Sequence, residues 1–258
     1  MQSQAALTSP PSTFLKPFWL AVIGPPWVVS LVFLVGVAAI RFFAVLSPFA
    51  LQELFFIQTV ATWALPFFML TADGRRQIGL SDRGITPSSM LLSALVGGAC
   101  ALIVFALGMA IYGASPNNWC LSIRNYLHLD EMRGLFSPLG LFALYAMPAV
   151  FLNPIGEEIL FRGFIQESFA RRFNPVFATL VNSLLFGLIY LYLHGLWHDA
   201  SGFHIHLGSA VLSVFLMACI GVVFTLCRTL SGSLWVAMAA HGAFNLTLLA
   251  VIIHQFVR

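Results

Sequence analysis

Apolar residues run through this chain in continuous blocks of about twenty, long enough for a helix to cross a hydrocarbon layer. The first block covers 18–43, and Pro25-Pro26 within it predict a kink or a delayed start near Trp27. Further blocks cover 46–70, with Glu53 near its start, and 88–112. The next covers 135–152, where Asn153-Pro154 predicts a stop. Then come 155–173, 175–194, 207–227 and 234–256, each predicted as a helix. Polar connections are expected at 73–83 and 114–134, and a histidine-rich one follows His194. The pattern predicts an all-α, polytopic transmembrane helix bundle of about eight helices. It contains no internal repeat, and it lacks the alternating short strands of a membrane barrel.

Composition supports this. The 258 residues are 60% hydrophobic and 8% charged, and the mean hydropathy is +0.93. A soluble domain carries about 25% charged residues. A net charge of +3 with a single lysine leaves no footprint for nucleic acid. Cys100, Cys120, Cys219 and Cys227 lack metal-ligand spacing and read as small apolar residues. The tail, 1–17, has no basic segment followed by a small-residue cleavage site, so the first block is expected to be retained. With the N-terminus inside, Lys16, Arg75, Arg76, Arg83 and Arg258 fall inside, and Arg41, Arg124, Arg133, Arg171, Arg172 and Arg228 outside. Five against six leaves the orientation open.

Against this background the adjacent pair Glu157-Glu158 stands out. A carboxylate at membrane depth is costly unless paired or facing a polar cavity, which makes it a functional candidate. Glu158 and Arg162 are four apart and share a helix face. Glu157 points about 100° away and has no such local partner. The plainer reading makes the pair interfacial charges at a helix start after Pro154 and Gly156. Two further i,i+4 pairs argue for more. His241 and Asn245 share a face among Ala239, Ala240, Gly242 and Ala243, and Tyr190 and His194 do the same in the preceding polar positions after Asn182 and Ser183. Each could be a packing hydrogen bond alone. Together, three such pairs predict one intramembrane site.

A carboxylate in a low-dielectric pocket can act as general base on water. A neighbouring His and Asn can stabilise the oxyanion formed when that water attacks a carbonyl. There is no Gly-x-Ser-x-Gly elbow and no pair of membrane aspartates. Amide hydrolysis by activated water therefore fits best.

The segment 149–249 resembles the CPBP family of intramembrane proteases, which includes the type II CAAX prenyl endopeptidases and the bacterial Abi proteins. Glu157, Glu158 and Arg162 match that family's Glu-Glu-x-x-x-Arg, and the flanking Phe161-Arg162-Gly163-Phe164 and Arg171-Arg172-Phe173-Asn174-Pro175 read like it. His241 and Asn245 match His-x-x-x-Asn/Asp, after Gly232-Ser233-Leu234-Trp235. The middle motif, Phe-x-x-x-His, falls on Phe186 and Tyr190, with tyrosine where histidine is expected. His194 lies one turn further on and could take its place, with Tyr190 assisting; otherwise the chemistry is altered or lost. The resemblance implies an intramembrane endopeptidase with Glu157 as base, Glu158 and Arg162 fixing or assisting it, and His241 and Asn245 at the oxyanion. It implies a membrane-associated or transmembrane peptide substrate and a bacterial inner membrane. No cofactor is expected, since a metal-free glutamate mechanism fits, although Glu and His are both ligands for a divalent metal such as Zn. The expected organisation is a tail (1–17), N-terminal membrane helices (18–134) and a catalytic bundle (135–258).

Two readings from other classes stand beside it. His194, His198, His204 and His206, with Asp199, fall within thirteen residues, a composition that suits Zn, Cu or Ni and so a metal-transporting or metal-sensing membrane protein. Yet His-Glu-x-x-His is absent and no Cys or Met clusters nearby. A scaffold or immunity protein that binds a membrane peptide without cutting it is the other, and Tyr190 is the feature that supports it.

Overall fold

The computed structural model describes residues 14–46, 52–194, 196–199 and 202–257. Most of the N-terminal tail lies outside this range, as do the side chains of Glu53, His198 and Asp199. The elements are α1 (Pro17–Val22), α2 (Pro26–Leu46), α3 (Gln52–Phe68), α4 (Ala72–Gln77) and α5 (Pro87–Tyr112). After α6 (Trp119–Tyr126) and α7 (Leu129–Met132) comes the long α8 (Pro138–Arg172). Then follow α9 (Pro175–Ile189), α10 (Leu191–His194), β1 (Leu196–Asp199), β2 (Gly202–Ile205), α11 (Leu207–Ser231) and α12 (Leu234–Phe256). The chain is an all-α polytopic bundle. Among the described residues, five helices are long and apolar enough to span a membrane, and two shorter apolar ones, 56–68 and 175–189, accompany them.

Helix starts follow a repeated device. Thr86, Ser137 and Asn174 each cap the next turn through a side-chain oxygen, and Pro87, Pro138 and Pro175 follow at the first helical position. Such a cap satisfies an orphan N–H, and proline there has none to lose. Helices approach closely where side chains are smallest. Gly97 on α5 lies against the Ala240 carbonyl of α12, and a Cβ there would collide with it. Small residues let backbones close up in lipid, where burial of apolar surface offers little drive.

Three expectations need correcting. The stop at Asn153-Pro154 does not occur, because 135–152 and 155–173 form the single helix α8. The chain absorbs the proline by widening to π-helical turns at Pro148–Leu152. The Asn153 N–H reaches back five residues to the Pro148 carbonyl. The next such bond would run from Pro154 to Ala149, but proline has no N–H. A second π segment, Ile159–Ile165, follows the glutamate pair; such bulges recur at functional sites. Next, the helix predicted over 175–194 breaks at Tyr190, so His194 sits on the separate turn α10. Last, the histidine-rich connection is a two-stranded antiparallel hairpin, pairing Leu196 with Ile205 and Asp199 with Gly202. The kink at Pro25-Pro26 appears as the break between α1 and α2.

Candidate active site

Glu157, Glu158 and Arg162 leave α8 toward a fully enclosed cluster. Glu158 and Arg162 are 0% exposed and Glu157 is 4%. Arg162 Nη1 donates to Glu158 Oε1 at 3.0 Å, as the i,i+4 spacing implies, and Nη2 donates to the Gly221 carbonyl of α11 at 3.2 Å. The guanidinium also lies over the Phe186 ring at 3.9 Å and 5.2 Å from the Phe224 ring. Aromatic faces attract a desolvated cation and exclude water from the pair. Glu158 Oε1 meets a second partner, His241 Nδ1 on α12, at 2.8 Å. The imidazole is held between Phe224, stacked at 4.9 Å, and the edge of Phe186 at 5.7 Å.

Glu157 has a partner at each oxygen. Tyr190 at the end of α9 donates its hydroxyl to Oε2 at 2.6 Å. Arg41 Nη2 on α2 donates to Oε1 at 2.7 Å. Arg41 is itself 3% exposed, and its Nε donates to Gln58 Oε1 on α3 at 2.7 Å. Reading Arg41 as a loop cation is therefore wrong; it is a buried counter-ion of the site. The signal was present in the sequence, as a lone arginine inside an apolar block is a functional candidate by default. Gly156 brings α8 onto α3, since a Cβ there would strike the Thr62 side chain.

The remaining atom of interest is His241 Nε2. It is buried, has no hydrogen-bond partner, and lies 3.8 Å from Glu157 Oε2. That separation is too long for a direct hydrogen bond and short enough for one water to touch both atoms. Because a carboxylate only accepts, Nδ1 carries the proton given to Glu158, which leaves Nε2 of a neutral ring as an acceptor.

Two expected site residues stand elsewhere. Asn245 Nδ2 donates to the Ala149 carbonyl at 2.9 Å, the very carbonyl that Pro154 leaves without its π-helical donor. His194 is buried with neither ring nitrogen hydrogen-bonded, although its ring stacks on Tyr190 at 5.9 Å. It lines a small void with Val104, Trp119, Ser213, Leu216 and Met217. Burial pushes its imidazole, beyond the end of α9, down to about 4. Asn182 joins α9 to α11 through Thr225 Oγ1 at 3.3 Å, a packing role. Among the described residues, no three His, Cys, Asp or Glu side chains converge as metal ligands.

Residues 139–247 match the family model described as Type II CAAX prenyl endopeptidase Rce1-like. This part of the chain is similar to that family. The Rce1-like segment takes in every residue of the cluster except Arg41 and Gln58, which α2 and α3 add from outside the match. No curated protein and no solved structure compared with the chain matches it.

Proposed function

We propose that the protein is an intramembrane endopeptidase in which Glu157 activates water to hydrolyse a peptide bond near the membrane surface. The observation that carries this reading is the pair of atoms Glu157 Oε2 and His241 Nε2, 3.8 Å apart with Nε2 unpartnered. A water seated there gives one hydrogen to each; Glu157 takes its proton as the oxygen attacks the scissile carbonyl carbon, and returns that proton to the leaving nitrogen as the C–N bond breaks. Glu158 fixes the His241 ring through Nδ1, and Arg162 fixes Glu158. As Glu157 loses its charge, the Tyr190 hydroxyl is released to donate to the new oxyanion. Tyr190 thus takes over the oxyanion task expected of His241 and Asn245. Arg41 and Asn245 act as positioning residues, the first on Glu157 and the second on the kink in α8. The substrate is a membrane-associated or transmembrane peptide, in a bacterial inner membrane by the family resemblance.

A second reading, a relative that binds such a peptide without cutting it, is favoured by the occupation of both Glu157 oxygens. The two are separated by mapping protein termini in membranes of cells producing either the unaltered chain or Glu157→Gln. Endopeptidase action predicts new termini in membrane proteins that vanish with Glu157→Gln. Identical termini in the two samples favour the binding protein.

A further inference from the structure

Glu157 is closed off in this structure, with Arg41 and Tyr190 on its two oxygens and 4% of its surface exposed. A peptide reaches it only if a neighbouring helix gives way. The helices of the 139–247 segment are poorly placed to move, because they meet backbone to backbone. A Cβ at Gly187 of α9 would strike the Val214 carbonyl of α11, and one at Gly221 of α11 would sit 3.0 Å from Ser183 Cα. A Cβ at Gly242 of α12 would lie 2.9 Å from the Val150 carbonyl of α8. α2 and α3 meet α8 through side chains. Arg41 pairs with Glu157, Thr62 lies on Gly156, Trp63 Nε1 donates to the Leu152 carbonyl at 2.9 Å, and Trp27 rests on Phe169 and Phe173. Parting apolar helix faces in lipid costs little hydrophobic free energy, because acyl chains are as apolar as the side chains they replace. Packing and hydrogen bonds therefore decide which helices stay in place.

The far end of α3 is fastened by the segment just before α1. The Lys16 N–H donates to the Met69 carbonyl at 2.9 Å, the Thr71 N–H donates to the Phe14 carbonyl at 3.1 Å, and Leu15 pairs with Leu70 as an antiparallel bridge. This is strand addition in miniature: the backbone supplies the attachment and side-chain pockets supply the fit. Leu15 is 0% and Phe14 4% exposed. The Phe14 ring packs on Phe164 of α8 at 6.1 Å, beneath the Arg171 guanidinium at 4.7 Å. Gly74 of α4 admits the strand, since a Cβ there would strike the Phe14 carbonyl. Lys16 Nζ and Trp19 Nε1 then cap the last turn of α3, at the Phe67 and Phe68 carbonyls, 2.6 and 3.0 Å away. Three residues thus tie α3 and α4 to the end of α8.

We infer that Phe14-Leu15-Lys16 is an autoinhibitory clasp: docked, it holds α2 and α3, and with them Arg41, over Glu157, and its release frees that pair to move off α8. That the movement admits a substrate rests on the hydrolytic reading; the clasp itself does not.

The test uses the full chain in isolated membranes. Ser30→Cys, at a wholly buried position of α2, reports movement of that helix, and the chain's own Cys120, wholly buried on α6, reports general unfolding. Labelling of each by N-ethylmaleimide is read by mass spectrometry on its own peptide. Three chains are compared: Ser30→Cys alone, Ser30→Cys with Phe14→Ala, and Ser30→Cys with Leu15→Cys and Leu70→Cys oxidised to a disulfide. The bonds flanking Leu15 and Leu70 make them a non-hydrogen-bonded pair, with Cα atoms about 4.5 Å apart and within disulfide reach. Labelling at position 30 should fall about tenfold in the bridged chain and rise about tenfold with Phe14→Ala, because a buried thiol reacts through the local opening that exposes it. Cys120 should not change. Equal labelling at position 30 in the three chains, or a parallel change at Cys120, overturns the clasp. New protein termini that form as fast with the bridged chain as with Ser30→Cys alone overturn the autoinhibition. The expected labelling with no new termini from any chain supports the clasp and counts against the hydrolytic reading.

Discussion

Replacing Arg41 with Met tests the site most sharply, because the substitution keeps an apolar stem of similar length and removes the charge. The Arg41–Glu157 ion pair is 2.7 Å long, with both groups nearly inaccessible. At an effective dielectric of about 20, two unit charges at that distance attract by roughly 6 kcal/mol. Desolvating each ion costs several kcal/mol, so the net value of the intact pair is small. Breaking it is another matter. Glu157 would keep one donor, Tyr190, while its other oxygen and its charge stayed buried, and uncompensated buried charges cost about 3–5 kcal/mol. Arg41→Met should lose that much in unfolding titrations with dodecyl sulfate in mixed micelles. Glu157→Gln in the same chain should recover a large part, with a coupling of about 2 kcal/mol or more in the double-mutant cycle. A loss below about 1 kcal/mol for Arg41→Met with no measurable coupling would refute the buried-pair account, because isolated exposed pairs give values of that size.

Other perturbations follow from the same geometry. Tyr190→Phe removes a donor to a buried carboxylate and should cost about 1.5–3 kcal/mol in the same titration; if cleavage occurs, its rate should fall by about 10²–10³ while Tyr190→His retains more of it. Equal rates for Tyr190→Phe and the unaltered chain would remove Tyr190 from the oxyanion role. Asn245→Leu leaves the Ala149 carbonyl unpaired and should cost about 1–3 kcal/mol, and Pro154→Ala, which supplies a backbone N–H nearby, should restore part of it; no rescue would contradict the capping of the kink. His194 ionises near 6.5 in an unfolded chain and at about 4 when buried. The unfolded state therefore binds the extra proton first, and stability should fall as pH drops from about 6.5 to 4. His194→Leu should flatten that part of the melting profile, and an unchanged slope would count against it.

Much of the site was legible because its residues are local. Glu158 with Arg162 is read from helix spacing, and His241 from an isolated imidazole among small residues at membrane depth. What spacing could not supply was the partner of Glu157, since Arg41 lies 116 positions earlier in sequence on another helix. The broken helix at Pro154 was a fair inference from propensity. Tertiary structure overrode it with a π-helical turn and a side-chain donor from α12, and no local rule registers either. That one error also separated Arg171 and Arg228 from the 73–83 segment, whose Gln77 both of them reach. The pairing of Tyr190 with His194 failed for a related reason: the helix ends at Tyr190, so the two share a stack of rings and not one helix face.

The central claim is that Glu157 delivers a water to a peptide bond, and isotope transfer tests it most directly. Membranes carrying the purified chain would be incubated in water enriched in oxygen-18, and the new C-termini read by mass spectrometry. One labelled oxygen in each new C-terminus, absent from membranes carrying Glu157→Gln, is the predicted result. Membranes with the unaltered chain that yield no labelled C-termini, or the same ones as Glu157→Gln, would contradict it.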